Sequence, residues 1–265
     1  MESPDIFAIL SDQALLIGLA TTRIAVAFLL LPVFTSELVP PLVRNAIFVA
    51  FALISIVLQP ALPAAHLDVQ DWIVLFAKEA LVGAAVGVLF GIFLWAFEAA
   101  GQVIDTQIGA TMAQIIDPLS GHQTSLTGTF LSRLANYVFM AAGGLLPLLG
   151  TLLESFALWP IGQALPNLTQ AGIMIFEAEF SHFIRLTLLI AAPMLVILFI
   201  IDGVLGLVNR YAQQLNVFFL SMSLKALAAV AILLVMVSTL MQLLIDELVS
   251  HAGALPILLH SVFGN

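Results

Sequence analysis

Few residues of this chain could do chemistry, and their spacing matches no catalytic or metal-binding pattern. The five histidines are His66, His122, His182, His251 and His260. They form no H-E-x-x-H motif and no pair at ligand spacing on one helix. Ser120 lies close to His122, but no G-x-S-x-G elbow surrounds it, and the chain has no glycine-rich phosphate loop and no cysteine. We therefore predict no enzymatic activity, no cofactor and no metal.

Two acids in apolar surroundings, Asp105 and Asp202, remain as candidates for proton or ion chemistry. Ionisable residues inside a membrane often mark ion or proton pathways. No motif around either acid supports an aspartyl enzyme. An ion-coupled small-solute transporter that uses Asp105 and Asp202 is therefore the alternative function.

The composition indicates a membrane protein. Hydrophobic residues make up 62% of the chain, charged residues 9%, and the mean hydropathy is +1.16. Soluble domains carry about 25% charged residues, so this chain lacks the polar side chains to cover itself against water. Its net charge of −9 argues against nucleic-acid binding. The start of the chain has no basic region, so the first apolar run does not resemble a cleaved signal peptide.

Apolar runs predict an all-α, polytopic fold with about six long helices plus broken or re-entrant segments, because a helix needs roughly 20 apolar residues to span a bilayer. The runs are 13–36, 45–63, 73–98, 130–153, 184–208 and 222–245. A further candidate, 155–176, contains Pro160 and Pro166, which disfavour one straight helix. We interpret 1–265 as a single hydrophobic helical domain, with an inter-helix loop at 101–128 and a polar, kinked connection at 154–182.

Basic residues are unevenly distributed among the loops. Arg44, Arg133, Arg210 and Lys225 lie in or beside alternate connections, whereas the other connections are acidic. Because cytoplasmic loops collect lysine and arginine, this pattern predicts that both termini lie outside and that 101–128 lies on the cytoplasmic side.

Glycines in the third run predict close helix packing. Gly83, Gly87 and Gly91 recur every four residues on one side of a helix. Small residues at this spacing let a second backbone approach, and such contacts drive helix association in lipid. The partner helix could belong to this chain or to another subunit.

Charges within the runs should be paired or face water, because burying an isolated charge is costly. They are Arg23, Lys78, Glu79, Glu98, Arg133, Arg185, Asp202 and Lys225. Helical spacing places Glu98, Gln102, Asp105, Gly109 and Met112 on one stripe, so the third run should continue past Gly101 as a helix. Three roles remain open for the acids of this stripe: pairing with Arg133 or another base, lining a polar path, and proton transfer.

The end of this helix extension has clear local signals. Asp117 precedes Pro118, which disfavours the α conformation, and Gly121 can adopt a turn. Thr124, Ser125 or Thr127 could then cap the next helix. The pattern predicts a helix extension, a sharp break and a return.

Three segments together resemble one family. Residues 77–131 are similar to its spaced glycines followed by "aG..iD.q.G" and "DP..g", residues 152–166 to "Sf...P.g", and residues 210–225 to "R.aPQlNvFflsmpiK". The family is FliR/SctT, a subunit of the type III secretion export apparatus, and "NVFFLSMSLK" favours the injectisome (SctT) branch. Gln213 and Ser223 depart from the family, which usually has proline there. The matching residues of the last motif are Arg210, Gln214, Asn216 and Lys225.

The resemblance implies a non-enzymatic role in a multi-pass protein of the bacterial inner membrane, whose assembled complex sits partly above the membrane plane. Family members join P/R-type and Q/S-type small subunits in a portal for unfolded secreted proteins. They also contact a switch protein (FlhB or SctU) and an export ring (FlhA or SctV). The family's "DP..g" loop closes the pore, which implies a plug at Gly109, Met112, Ile115, Ile116, Asp117, Pro118 and Gly121.

Overall fold

The structure, a computed structural model, describes residues 6–34, 39–57, 69–109, 125–163, 170–211 and 217–263. Within these ranges the secondary structure is helical throughout, and no strand occurs there. The helices are α1 (Ile6–Leu30), α2 (Pro41–Val57), α3 (Val69–Ile108), α4 (Leu126–Ala141), α5 (Leu145–Leu158), α6 (Gln170–Tyr211) and α7 (Val217–Phe263), with a short 3-10 turn at Pro32–Phe34. The predicted all-α fold is confirmed.

Within the described ranges, four helices are long and apolar enough to cross a membrane. These spans are Gln13–Leu30 of α1, Asp71–Ile108 of α3, Met174–Tyr211 of α6 and Phe219–His251 of α7. Counting α4 and α5 together as one broken span brings the number to five. The chain is a multi-pass membrane protein.

The predicted run 130–153 is not one helix. α4 ends at Ala141, where the N–H of Ala142 donates to the carbonyl of Val138 at 2.8 Å. Gly143 then adopts a φ of +78°, a left-handed conformation that costs glycine little because it has no Cβ. Hydropathy alone could not reveal this break, because the residues on both sides of it are equally apolar.

The chain forms two compact units, each assembled from segments that are distant in the sequence. The first comprises Met1–Ile92, Gly143–Glu179 and Val249–Asn265, and the second comprises Phe93–Ala142 and Phe180–Leu248. The two units share α3, α6 and α7, each of which has residues in both.

In the first unit, α1 packs tightly on α3. A Cβ on Gly83 would overlap the backbone of Arg23, and one on Gly87 would lie 2.8 Å from the carbonyl oxygen of Ala27. Gly91, one turn further on, is also buried. Beside this contact Phe28 stacks on Phe48 of α2, with ring centroids 5.4 Å apart. The glycines therefore let α3 approach another helix of the same chain.

In the second unit, α3 meets the beginning of α4 backbone to backbone. A Cβ on Gly101 would overlap the backbone of Gly128, so neither helix could carry a larger residue there without moving. Further along the two helices, the rings of Phe93 and Phe139 lie 6.3 Å apart. This contact fixes the last turns of α3 against the first turn of α4.

Candidate functional site

Asp105 joins the end of α3 to the start of α4. Its side chain is buried, with the residue 7% exposed. One carboxylate oxygen accepts hydrogen bonds from Ser125 Oγ at 2.6 Å and from the Thr127 N–H at 2.9 Å. The other oxygen accepts a hydrogen bond from Thr127 Oγ1. Because these bonds cross between two helices, the aspartate holds the end of α3 to the start of α4.

Ser125 is the N-cap of α4. Its backbone is extended, and its Oγ accepts a hydrogen bond from the N–H of Gly128 at 2.9 Å. It is one of the three capping residues that the sequence suggested. A capping hydroxyl satisfies one of the N–H groups left free at a helix start, and here the same hydroxyl donates to Asp105.

The segment 110–124 leaves and re-enters the described structure close to Asp105. α3 ends at Ile108, and Gly109 turns the chain with a φ of +92°, its N–H donating to the carbonyls of Asp105 and Thr106. The chain returns at Ser125, which is bonded to the same aspartate. The predicted plug residues of this segment lie outside the described residues; they are Met112, Ile115, Ile116, Asp117, Pro118 and Gly121.

A second polar cluster holds the end of α3 to α6 and α7. Lys225 of α7 lies 3.0 Å from Asp202 of α6 and donates to the carbonyl of Gln107 at 2.8 Å. Gln107 Nε2 also donates to Asp202, at 3.0 Å. The nearest side chain to a Cβ on Gly109 would be Met222, one helical turn before Lys225. Lys225 and Asp202 therefore neutralise each other beside the start of the segment 110–124.

The residues of the predicted polar stripe differ in their exposure to solvent. Gln102 is exposed and Asp105 is buried. Glu98 is partly buried and accepts a hydrogen bond from Ser132 at 3.3 Å and a weak one from Gln102 at 3.5 Å. Arg133 lies on an exposed side of α4. Asp105 and Asp202 are each bonded to other groups, so the contacts of the described residues do not form an aspartyl pair.

The first unit contains a fully buried charge cluster. Arg23 of α1 donates two hydrogen bonds to the carboxylate of Glu79 of α3, from Nε at 2.6 Å and from Nη2 at 3.0 Å. Lys78 Nζ lies 2.8 Å from the same carboxylate. All three side chains are 0% exposed. A bidentate guanidinium–carboxylate pair is among the strongest charge-assisted hydrogen-bonded contacts in proteins.

Backbone and hydroxyl acceptors complete this cluster. Arg23 donates to Ser155 Oγ at 3.2 Å and to the carbonyl of Trp159 at 2.9 Å. Lys78 donates to the carbonyls of Pro160, Ile161 and Gln163. The Arg23 guanidinium also lies 4.0 Å from the centre of the Phe156 ring, a cation–π contact. The cluster therefore ties α1, α3, α5 and the turn after α5 together.

The sequence predicts that these charges are paired or face water, but it does not reveal their partners. Arg23 and Glu79 are 56 residues apart in the chain, and the carbonyl acceptors of Lys78 leave no signal in the residue types. The nearest available signal was Pro160, because a proline that ends a helix leaves neighbouring carbonyls without helical donors.

Two of the four family-motif residues are described. Arg210 is exposed in the last turn of α6, and Lys225 is buried in its contact with Asp202. Gln214 and Asn216 lie outside the described residues.

The fold and the contacts define an all-helical, multi-pass membrane protein whose buried polar groups join helices and helix ends. Residues 14–250 match the family of bacterial export proteins, family 1, and the chain belongs to that family. The resemblance to the FliR/SctT family is thereby confirmed.

The relatives include both secretion-system and flagellar proteins. Over 232 residues the chain is 32% identical to the Yop proteins translocation protein T of Yersinia pestis, covering 87% of this chain and 86% of that protein. It is 32% identical to the secretion system apparatus protein SsaT of Salmonella typhimurium, covering 78% and 81%. It is also 32% identical to the flagellar biosynthetic protein FliR of Bacillus subtilis, covering 82% and 84%.

Proposed function

We propose that this chain is a non-enzymatic subunit of a type III protein secretion export apparatus. It helps to form and gate the portal through which unfolded proteins cross the bacterial inner membrane, and it acts as a single export-gate domain. Membership of the export-protein family, over residues 14–250, supports this function over ion-coupled transport of small solutes.

The observation that carries the gating role is the contact of Asp105 with Ser125 and Thr127. It joins the helix end before the segment 110–124 to the helix start after it, so a gate made by this segment is anchored at one place on packed helices. A gate that closes against ions needs such a fixed base. The sequence of the segment contains glycine and other small residues, and Met112, Ile115 and Ile116 are apolar side chains suited to a seal that repacks.

The partners follow from the same assignment. They are P/R-type and Q/S-type small export subunits, a FlhB/SctU-type switch protein, a FlhA/SctV-type export ring and the unfolded proteins that are secreted. Only 28% of the α6 span and 17% of the α7 span are buried within the chain, so both helices leave surface free for lipid or for other membrane proteins.

Deletion of residues 110–121 tests the gate. We expect the variant to assemble with the other export subunits but to make inner-membrane vesicles permeable to ions, which a pH-sensitive dye inside the vesicles would record after a pH jump. Asp105, Ser125 and Thr127 stay in place, so the helix contact that anchors the loop is kept. A matched control replaces one exposed residue of α3, Gln102→Ala, and should leave the vesicles sealed. If the deletion variant assembles and its vesicles stay as tight as wild type, the gating role is wrong.

A further inference from the structure

One side of α7 carries polar side chains where a lipid-facing helix would carry apolar ones. These residues, here called the α7 polar face, are Ser238, Thr239, Gln242 and Asp246. All are exposed and lie within the span Phe219–His251. The opposite side of α7 carries Leu240, Leu244 and Leu248, which are 1%, 1% and 4% exposed. The α7 polar face therefore points away from the core of its own unit.

The described part of the chain supplies no partner for this face. No side-chain hydrogen bond or ion pair joins any of the four residues to another described residue. The neighbouring acid Glu247 differs, since it points the other way and contacts His182 at 3.0 Å. In the isolated chain, the carboxylate of Asp246 and the amide of Gln242 must therefore be satisfied by lipid, water or another protein.

Lipid is an unfavourable surrounding for these groups. On insertion scales aspartate costs about 2.5–3.5 kcal/mol at the centre of a membrane helix, whereas leucine is favourable there. Asp246 lies nearer the end of the span, five residues before His251, so its cost in lipid is smaller than this but of the same sign. Unsatisfied polar groups in hydrocarbon are costly in the same way. A face with one carboxylate, one amide and two hydroxyls is therefore suited to contact with protein or water rather than acyl chains.

The arrangement along α7 favours protein over a continuous water path. Towards the start of the helix the same side continues with Leu224, Ala231 and Val235, all exposed and apolar. A water path across the membrane would need polar residues along that part too. Val235, Thr239, Gln242 and Asp246 follow spacings of four, three and four, which is the pattern of a helix–helix seam. Serine and threonine within it permit close approach and hydrogen bonding between membrane helices.

We propose that the α7 polar face binds a membrane helix of another subunit of the export apparatus, which places a lysine or arginine against Asp246. This inference rests on the proposed function. The single uncompensated acid requires a cationic partner, because burying it against an apolar helix would leave the charge unpaired. The apolar residues Leu224 and Val235 extend the contact along the same helix.

Charge reversal and leucine substitution test this interface. Asp246→Lys should reduce the other subunits that copurify in mild detergent by about tenfold or more, because it sets two cations against each other. The double variant Gln242→Leu/Asp246→Leu should also lose them, although it would improve a lipid-facing helix. Asp246→Asn should reduce the copurifying subunits less than Asp246→Lys does, since the amide can still form hydrogen bonds. Leu234→Ala, at an exposed apolar position beside this face, is the matched control and should copurify like wild type.

Cysteine labelling separates a helix partner from water or lipid. The natural chain has no cysteine, so Gln242→Cys carries a single thiol. In the assembled complex it should be shielded from a charged, water-soluble maleimide, and in the detergent-isolated chain it should react. A photoreactive residue at the same position should cross-link to an apolar helix of a neighbouring subunit that has a lysine or arginine within one turn.

The outcomes distinguish this inference from the proposed function. Normal copurification of both the Asp246→Lys and the double-leucine variants would refute the interface, and full labelling of Gln242→Cys in the complex would assign the face to water. Cross-linking to lipid alone would overturn it as well. If the wild-type protein itself purifies without any other export subunit, the result contradicts the proposed function and not the α7 interface alone. Each variant is compared at an unchanged unfolding midpoint, so misfolding is not mistaken for lost binding.

Discussion

Glu79 is the residue on which the buried charge cluster of the first unit depends. Its carboxylate contacts Arg23 Nε at 2.6 Å and Lys78 Nζ at 2.8 Å, and all three side chains are 0% exposed. Glu79→Gln keeps the shape of the side chain and removes its charge. Two cations would then remain buried, held only by backbone carbonyls, a hydroxyl and aromatic rings.

The expected loss of stability is large. Removing one partner of a buried ion pair costs about 3–5 kcal/mol, because the remaining charge is left uncompensated away from water. For a protein of this size each kcal/mol corresponds to about 2–4 °C, so the unfolding midpoint should fall by about 10 °C. The double variant Lys78→Met/Glu79→Gln leaves only one excess cation. Its loss of stability should therefore be smaller than the sum of the losses caused by Lys78→Met and Glu79→Gln separately.

Thermal unfolding of the purified protein in mild detergent, followed by tryptophan fluorescence, measures this effect. Trp159 is a local reporter, because Lys78 Nζ lies 5.5 Å from the centre of its ring. Glu98→Gln is the matched control, since Glu98 is partly exposed and makes only the longer contacts with Ser132 and Gln102. If Glu79→Gln and Glu98→Gln both melt within a degree or two of wild type, the charge cluster does not hold the first unit together.

Two further pairs of substitutions, each a test and its control, probe contacts between helices in the same assay. Gly83→Ala should destabilise by about 1–3 kcal/mol, because its Cβ would overlap the Arg23 backbone. Gly150→Ala, in α5 with open space around it, should be neutral or stabilising by up to about 1 kcal/mol, and equal melting of the two variants would contradict the close contact. Asp105→Ala should cost about 1–3 kcal/mol by leaving the donors of Ser125 and Thr127 unpaired, whereas the exposed Gln102→Ala should change nothing. An Asp105→Ala protein that melts like Gln102→Ala would show that the aspartate does not secure the start of α4.

Local patterns in the chain predicted several features that the structure contains. The apolar runs placed the long helices, because the length of a membrane-spanning helix is set by bilayer thickness rather than by its partners. The continuation of α3 beyond Gly101 followed from helical spacing, and the N-cap at Ser125 from the preference of hydroxyl residues for helix starts. Each of these depends on residues within one or two helical turns.

Contacts between distant segments could not be predicted in the same way. The spacing of Gly83 and Gly87 indicated a close approach, but α1 as the partner is visible only in three dimensions. Helical spacing placed Asp105 on one stripe with Gln102, but Asp105 is buried against α4 while Gln102 is exposed. The break at Gly143 also escaped the hydropathy pattern, since one backbone angle ends the helix.

The sequence by itself determined that this is an apolar helical export protein, because composition, helix length and family motifs are properties of the chain in order. The tertiary structure decided how its few charges are used. Arg23 and Glu79 meet across 56 residues, and Lys78 finds its acceptors in backbone carbonyls that any residue type could supply. In an apolar interior a charge must find a partner wherever the fold provides one, so those pairings depend on packing rather than on neighbours in the sequence.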